Sequence, residues 1–286
     1  MIISYSELFK FQTCKRQYQY SFGLGLRPIE ESGPIATGSA GHKLLQVLYE
    51  LLREGVDKEK ALVTVTRKAK ELSTIAGTGL VDFNMLKAWT LVENYIRETD
   101  FVNEVELVEN RFLVPIEVIL SDIEVDRFNL NDVQIGFTPD LVCKRKGDKL
   151  DIEDAKFVGR AWSKSKLNRY PQLKLYQIFL KRMGYDISRT VLRFFNTTTG
   201  EITTRPYILG VAEEENLIKD FIDGVIDLVQ FKGLPDSVKV QAPRTMNYTA
   251  CQFCAFEFPC SLEAEGKDAS KTLENLYKKS EYDYNN

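Results

Sequence analysis

The sequence predicts an α/β protein in which a central mixed sheet is flanked by helices. Between residues 105 and 207, apolar and polar residues repeatedly alternate with the two-residue period of strands, and the stretches around them follow the 3.6-residue period of amphipathic helices. The chain has 286 residues, of which 44% are hydrophobic and 28% charged, enough for a sizeable core. It shows no apolar run long enough to cross a membrane and no basic-then-apolar leader, so we expect a cytoplasmic protein with no membrane partner.

Helices are expected before, between and after the strands. Ser4 and Glu7 have the spacing of a capping box, in which each side chain caps the other residue's backbone N–H at a helix start. The expected helices cover 4–20, a segment opening near Gly38, 58–73, 84–99, 163–183 and 211–231. The segments 58–73 and 84–99 form a helical insertion of about residues 55–100, with a break at Gly77 and Gly79.

Strands account for most of residues 104–210, which we expect to be the core of the protein. They are predicted at 105–112, 114–128, 133–145 and 150–157, followed by a hairpin of 191–196 and 201–207. Successive strands with short connections tend to be neighbours, so the first four are expected to form a meander in one sheet.

The strand at 150–157 has charged residues on an otherwise apolar face. Side chains in a strand alternate between faces, so Asp154 and Lys156 share a face with Leu150 and Ile152, whereas Glu153 points the other way. Burying a carboxylate or an ammonium without a partner is costly, so these charges are expected to have a function. A further carboxylate, Asp140, lies at the edge of the preceding apolar run.

Asp140 followed by Asp154-Ala155-Lys156 resembles the core motif of the PD-(D/E)XK nuclease superfamily. Two further motifs occur in the order found in its RecB-like branch. Gly38-x-x-x-His42 contains the only histidine and precedes an apolar helix, and Gln172-x-x-x-Tyr176 lies on the helix directly after the Asp-x-Lys strand. The resemblance implies a restriction-endonuclease-like fold.

The resemblance also implies roles for these residues. Asp140, Asp154 and the carbonyl of Ala155 would bind Mg²⁺ or Mn²⁺, which prefer oxygen ligands, and His42 would complete a site for a second ion. Lys156 would orient the attacking water or offset charge on the phosphate. Gln172 and Tyr176 would hold the backbone of the DNA strand near the metals.

The cysteines indicate a second metal site. Cys251, Cys254 and Cys260 fall within ten residues, and Cys14 is the natural fourth ligand. Five cysteines argue against a disulfide framework, and the fifth, Cys143, is assigned to the core. Zinc bound by the four thiolates is the alternative that metal analysis would decide.

One distant cysteine and a downstream Cys-x-x-Cys-x5-Cys is the pattern of the iron–sulfur RecB-like nucleases. These include the AddB nuclease domain and the CRISPR-associated exonucleases of the fourth Cas family, and in them the four cysteines hold a 4Fe–4S cluster. The resemblance implies an iron–sulfur subdomain that joins residues 1–25 to 232–262. We therefore expect one nuclease domain over 1–260 and a frayed, charged tail over 263–286.

Charge is distributed unevenly along the chain. Residues 144–193 carry 14 Lys and Arg against 5 Asp and Glu, although the whole chain has a net charge of −3. This basic stretch surrounds the predicted site, where a nucleic-acid backbone would be held, although a solvated helix and loop would have the same composition.

The expected function is therefore a metal-dependent deoxyribonuclease. The resemblance favours an exonuclease that acts on single-stranded DNA or on free ends, with 5′ to 3′ polarity as one option. Recombination, repair, phage and CRISPR settings, with partner proteins from those pathways, fit equally well. The resemblance therefore implies the cytoplasm of a bacterial, archaeal or phage-infected cell. The alternatives are a nuclease-like module that binds DNA ends or partner proteins without cutting them, and a zinc-stapled protein with incidental acidic residues.

Overall fold

The structure is a computed structural model that describes residues 1–30, 33–73, 82–101, 104–120, 130, 132–144, 149–239, 241–245 and 247–280. By its internal contacts the chain divides into two compact units. The central unit consists of residues 32–111 and 138–215, and the terminal unit of residues 1–31, 112–137 and 216–286. Residues 112–137 of the predicted core thus belong to the terminal unit. Among the described residues no helix combines the length and the apolar character that a membrane span requires.

The strands are β1 (Ile2–Ser4), β2 (Leu26–Pro28), β3 (Glu104–Val108), β4 (Phe112–Pro115), β5 (Gln134–Phe137), β6 (Leu141–Lys144), β7 (Leu150–Val158), β8 (Ile187–Asn196), β9 (Ile202–Tyr207) and β10 (Tyr277–Lys279). The α-helices are α1 (Tyr5–Thr13), α2 (Lys15–Tyr18), α3 (Gly33–Arg53), α4 (Lys58–Ser73), α5 (Phe83–Glu98), α6 (Ile116–Ile119), α7 (Lys164–Asn168), α8 (Gln172–Arg182), α9 (Val211–Lys232), α10 (Asp236–Lys239), α11 (Tyr248–Gln252), α12 (Glu257–Ala264) and α13 (Ser270–Leu276). A π-helical turn, Gln19–Gly23, follows α2.

The central unit contains a five-stranded mixed sheet in the order β3-β6-β7-β8-β9. β7 and β8 are parallel, and the other neighbouring pairs are antiparallel. A parallel pair needs a crossover connection, which α7 and α8 provide. The mixed sheet flanked by helices that the sequence predicts is confirmed.

Helices α3, α4 and α5 pack together on one face of this sheet. Their apolar stripes form a buried cluster that includes Leu44 and Val92 and reaches Ala155 and Phe157 on β7. α3 contacts both β3 and β7. The apolar spacing that predicted these helices therefore also determines which of their faces meets the sheet.

Helix α8 contacts β7 and β8 and supplies the apolar cover for the opposite face of the sheet. Leu173, Tyr176 and Leu180, the residues expected to pack on the sheet, are 3%, 5% and 0% exposed. The alternation along β8 shows the two faces directly. Phe195 belongs to the cluster formed with the helices α3–α5, and Phe194 contacts Trp162 in the α7 region.

The terminal unit has a small sheet of order β1-β5-β4 and a two-stranded pair of β2 with β10. Half of the predicted capping box is present: the hydroxyl of Ser4 accepts a hydrogen bond from the N–H of Glu7 at 3.1 Å. The carboxylate of Glu7 instead accepts from the hydroxyl of Tyr18 and pairs with Lys232. Tyr20, Phe256 and Tyr277 stack on one another and form a separate apolar cluster. This cluster joins segments that are far apart in sequence.

Three of the predicted elements are interrupted. The expected helix over 4–20 breaks at Cys14, whose backbone is extended, with φ of −163° and ψ of 114°. The expected strand over 105–112 breaks at Glu109, which has a φ of +45° in the left-handed region. The expected strand over 133–145 divides into β5 and β6, which lie in different sheets. The interruption includes Pro139, which has no N–H to donate to a strand ladder.

The prediction was also wrong at four other places. The expected strand over 114–128 ends at Pro115 and continues as the helical turn α6, and residues 121–129 lie outside the described part, as do Gly77 and Gly79. The helix expected from Gly38 begins at Gly33, and the one expected over 163–183 is two helices. The expected frayed tail instead forms α13 and β10, and β10 pairs with β2 through backbone hydrogen bonds.

Candidate functional site

Asp154 and Lys156 lie side by side on one face of β7, as their spacing predicts. Lys156 Nζ is 2.6 Å from Asp154 Oδ2, and the side chain of Asp154 is only 3% exposed. The two groups form a short buried ion pair, and within the described part of the chain Lys156 is the only partner recorded for Oδ2 of Asp154. A buried carboxylate oxygen in this state is suited to binding a cation.

Glu153 points to the other face of β7. Its Oε2 accepts a hydrogen bond from Arg193 Nη2 at 2.6 Å, and its Oε1 lies 3.7 Å from the thiol of Cys143. Arg193 in turn lies over the ring of Tyr95, 4.8 Å from its centroid. Glu153 is therefore engaged in a buried polar network, as the strand period indicates.

Asp140 lies immediately before β6 and is tied to the backbone of β7. β6 stops pairing with β7 at Glu153, which leaves the N–H of Ala155 available on that side. This N–H donates to Asp140 Oδ2 at 2.9 Å, and the same oxygen is 3.3 Å from His42 Nδ1. Three of the predicted metal-binding residues, from α3, the β6 edge and β7, thus converge within one unit.

Glu109 is a further member of this site that the sequence reasoning missed. One ligand atom each from His42, Glu109 and Asp140 lie within 4.8 Å of one another, and this trio is the only such group in the described residues. The N–H of Glu109 donates to the carbonyl of Asp140 at 3.1 Å. The one available signal was an acid at the point where the strand pattern fails, where the chain turns toward Asp140.

Negative charges crowd the site. Burial, followed by the charge of Asp140, raises the pKa of Asp154 to about 7, although Lys156 opposes the shift. Burial and the charges of Asp140 and Asp154 likewise raise the pKa of Glu109 to about 7. Burial disfavours the ammonium of Lys156, but the nearby carboxylates outweigh it and raise the pKa of Lys156. A divalent cation would offset the repulsion among these carboxylates.

Gln172 and Tyr176 are joined to each other beside Lys156. Gln172 Nε2 donates to the hydroxyl of Tyr176 at 3.0 Å, and the hydroxyl of Tyr170 donates to Gln172 Oε1. The ring centroid of Tyr170 is 5.6 Å from Lys156 Nζ. Tyr176 is buried and Gln172 is partly exposed, so Tyr176 orients an amide that a ligand could reach.

Four of the five cysteines lie in the terminal unit. Cys14, Cys251, Cys254 and Cys260 line one cavity of about 170 Å³. Cys143 is instead buried in the central unit, 2% exposed, as predicted. Cys14 is 237 residues from Cys251 in the sequence, and the fold brings all four side chains to the same cavity.

Hydrogen-bond donors surround these sulfurs. The N–H of Thr245 is 3.4 Å from Cys14 Sγ, and the N–H of Phe256 is 3.4 Å from Cys254 Sγ. Arg244 Nε is 3.3 Å from Cys260 Sγ. Burial raises the pKa of Cys254 and of Cys260, so donors of this kind, or a bound metal, are needed to stabilise the thiolate forms.

Comparisons with known proteins place the chain in a family. The solved structure titled "Crystal structure of SSO0001" matches with 12% sequence identity and a TM-score of 0.42, covering 90% of this chain and 84% of that chain. No curated protein matches the sequence. The family model described as the PD-(D/E)XK nuclease superfamily matches residues 2–261, which include all the candidate site residues described above. The chain therefore belongs to the PD-(D/E)XK nuclease superfamily.

Proposed function

We propose that this metal-dependent nuclease is an exonuclease that hydrolyses single-stranded DNA and belongs to the RecB-like iron–sulfur branch. The observation that carries the catalytic part is the convergence of His42, Glu109 and Asp140 beside the buried Asp154–Lys156 pair. Carboxylates, an imidazole and a lysine in this arrangement suit hydrolysis of a phosphodiester.

The donor set fits divalent cations. Asp140, Asp154 and the carbonyl of Ala155 would hold Mg²⁺ or Mn²⁺, and His42 and Glu109 would complete the position of a second ion, with the imidazole favouring Mn²⁺. When bound, the cations would offset charge on the phosphate and lower the pKa of the attacking water.

The remaining residues would orient the substrate. Lys156, whose ammonium is held by Asp154, would point a proton donor at the phosphate or at the attacking water. Gln172, fixed by hydrogen bonds with Tyr170 and Tyr176, would donate to a phosphate oxygen of the strand. The predicted substrate-binding pair thus acts as a unit, with Tyr176 as the positioning residue.

A 4Fe–4S cluster held by Cys14, Cys251, Cys254 and Cys260 is the second part of the proposal. The four residues line one cavity, and backbone N–H groups face two of the sulfurs. The pattern of one distant cysteine and a downstream Cys-x-x-Cys-x5-Cys favours a cluster over a zinc ion held by the same four thiolates.

Labelled DNA tests the catalytic part. The purified protein would be incubated with single strands labelled at the 5′ or the 3′ end, a closed single-stranded circle and a duplex, in Mg²⁺, Mn²⁺ or EDTA. We expect metal-dependent release of short products from linear single strands, with the circle intact. Cutting of the circle would show an endonuclease, and binding without cutting would favour the non-cleaving alternative.

A further inference from the structure

A cavity of about 420 Å³ lies beside the site in the central unit. Its walls come from the β7–α8 connection and from β8 and β9, and they include Trp162, Lys164, Tyr170, Lys174, Arg205 and Tyr207. The volume is within the range of about 300–1,000 Å³ that small-molecule sites usually have. Of its lining residues only Tyr170, which fixes Gln172, has a role proposed above.

The cavity adjoins the reacting centre on two sides. Leu192, which lines it, is the cross-strand partner of Asp154, and neighbouring strands are about 4.8 Å apart. Tyr170 also lines the cavity, and its ring centroid is 5.6 Å from Lys156 Nζ. A group in the cavity would therefore lie beside Asp154 and Lys156, the residues proposed to act on the scissile phosphate.

Aromatic rings form one wall. Trp162 meets the ring of Tyr170 edge to face, with the centroids 4.8 Å apart, and meets Phe194 at 5.6 Å. Lys166 covers Trp162 at 4.1 Å and does not itself line the cavity. These contacts hold the indole in a fixed orientation, which suits stacking with a flat ligand.

The polar lining is cationic. Lys164, Lys174 and Arg205 are present, and no acidic side chain is among the lining residues. The ammonium of Lys174 is buried and is held by Glu213 and the carbonyl of Asn168, whereas Lys164 and Arg205 are exposed at the rim. Flat rings inside and cations at the rim match a nucleobase with its attached phosphate.

We propose that this cavity is a subsite for one unstacked nucleobase, on a nucleotide next to the scissile phosphate. The base stacks on Trp162 in the aromatic wall, and Lys164 and Arg205 bind the phosphate of the same nucleotide. A base in a duplex cannot enter without being unpaired, so the subsite selects single strands or frayed ends. The inference rests on the proposed function, since it assigns the substrate of the same site.

A binding experiment tests the subsite without catalysis. In a protein with Trp89→Phe and Asp154→Asn, Trp162 is the only tryptophan and the strand stays intact. Titration with a thymidine hexanucleotide should quench the tryptophan fluorescence, whereas the matching abasic hexamer and inorganic phosphate should not. Equal quenching by the abasic hexamer, or none by either, would overturn the proposal.

Cleavage by the protein without these two substitutions provides an independent test. A series of end-labelled strands carries one abasic nucleotide at successive positions. We expect cleavage to slow about tenfold when the abasic nucleotide lies next to the cut phosphate. Trp162→Leu should remove this dependence of the cleavage rate on the abasic position, and Trp162→Tyr should retain it. If an active enzyme cleaves all these strands at the same rate, the subsite is rejected and the nuclease assignment stands.

Rim variants keep the test informative if Trp162→Leu fails to fold. Lys164→Gln and Arg205→Gln change exposed side chains, and each should weaken hexamer binding severalfold and reduce its salt dependence. Lys181→Gln, an exposed lysine outside the cavity, is the matched control and should bind as the parent does. If all three variants bind alike, the phosphate contacts are refuted.

Discussion

Gly41 on α3 lies directly against the ring of Phe157 on β7, so that a Cβ built at Gly41 would clash with the ring. The next residue, His42, has Nδ1 3.3 Å from Asp140 Oδ2. The close approach of helix and strand therefore sets the position of the only histidine against the carboxylates.

Gly41→Ala should separate α3 from β7. We expect a loss of about 1–3 kcal/mol in the free energy of unfolding and weaker Mn²⁺ binding, because overpacking displaces His42. Urea unfolding and calorimetric titration measure the two effects. Gly38→Ala is the matched control, since nothing lies within 4 Å of a Cβ there, and it should be neutral or slightly stabilising.

Glu109→Gln should weaken Mn²⁺ binding by about tenfold or more, since it removes a charge from the trio without changing the shape of the side chain. Calorimetry on the purified protein measures the affinity. Glu106→Gln, an exposed acid on β3, the strand that ends just before Glu109, should have no effect. Identical affinities for both variants would exclude Glu109 as a ligand.

Asp154→Asn and Lys156→Ala should each reduce the rate of DNA cleavage by about 10²-fold or more, because each removes charge at the reacting phosphate. The circular dichroism spectrum should be retained. Glu201→Gln, an exposed acid in the β8–β9 turn, serves as the control for charge. A fully active Asp154→Asn enzyme would rule out the proposed centre.

The gain in stability that the protein obtains from binding Mn²⁺ should increase with pH. The pKa values of Asp154 and Glu109 are raised to about 7, above those of the unfolded chain, so the metal-free folded state holds more protons between about pH 4 and 7. These two carboxyl groups therefore stabilise the metal-free folded state at low pH, and this stabilisation is lost as the pH rises through 7. The rise in Tm on adding Mn²⁺ should therefore be larger at pH 8 than at pH 6, and a rise independent of pH would contradict this.

Cys14→Ser should eliminate bound iron and the absorption at about 400 nm that a thiolate-bound cluster gives. Iron and sulfide analysis of anaerobically purified protein checks this. Cys143→Ala should keep its iron, because Cys143 is a core residue of the other unit. Stoichiometric zinc without iron in the parent protein would replace the cluster with a zinc site.

The local patterns of the sequence determined much of this protein. The two-residue period of β7 places Asp154 and Lys156 together and Glu153 apart, because alternation is a property of any extended backbone. The 3.6-residue period likewise identifies the buried faces of α3 and α8. Motif order along the chain was enough to suggest the superfamily that the family model then showed.

Only the tertiary structure decided which distant segments meet. Glu109 joins His42 and Asp140 because its backbone turns at a φ of +45°, which no periodicity encodes. The division of residues 133–145 between two sheets and the pairing of β10 with β2 also depend on long-range hydrogen bonds. Such contacts arise from packing energies summed over the whole chain, whereas a sequence pattern reports only the preferences of neighbouring residues.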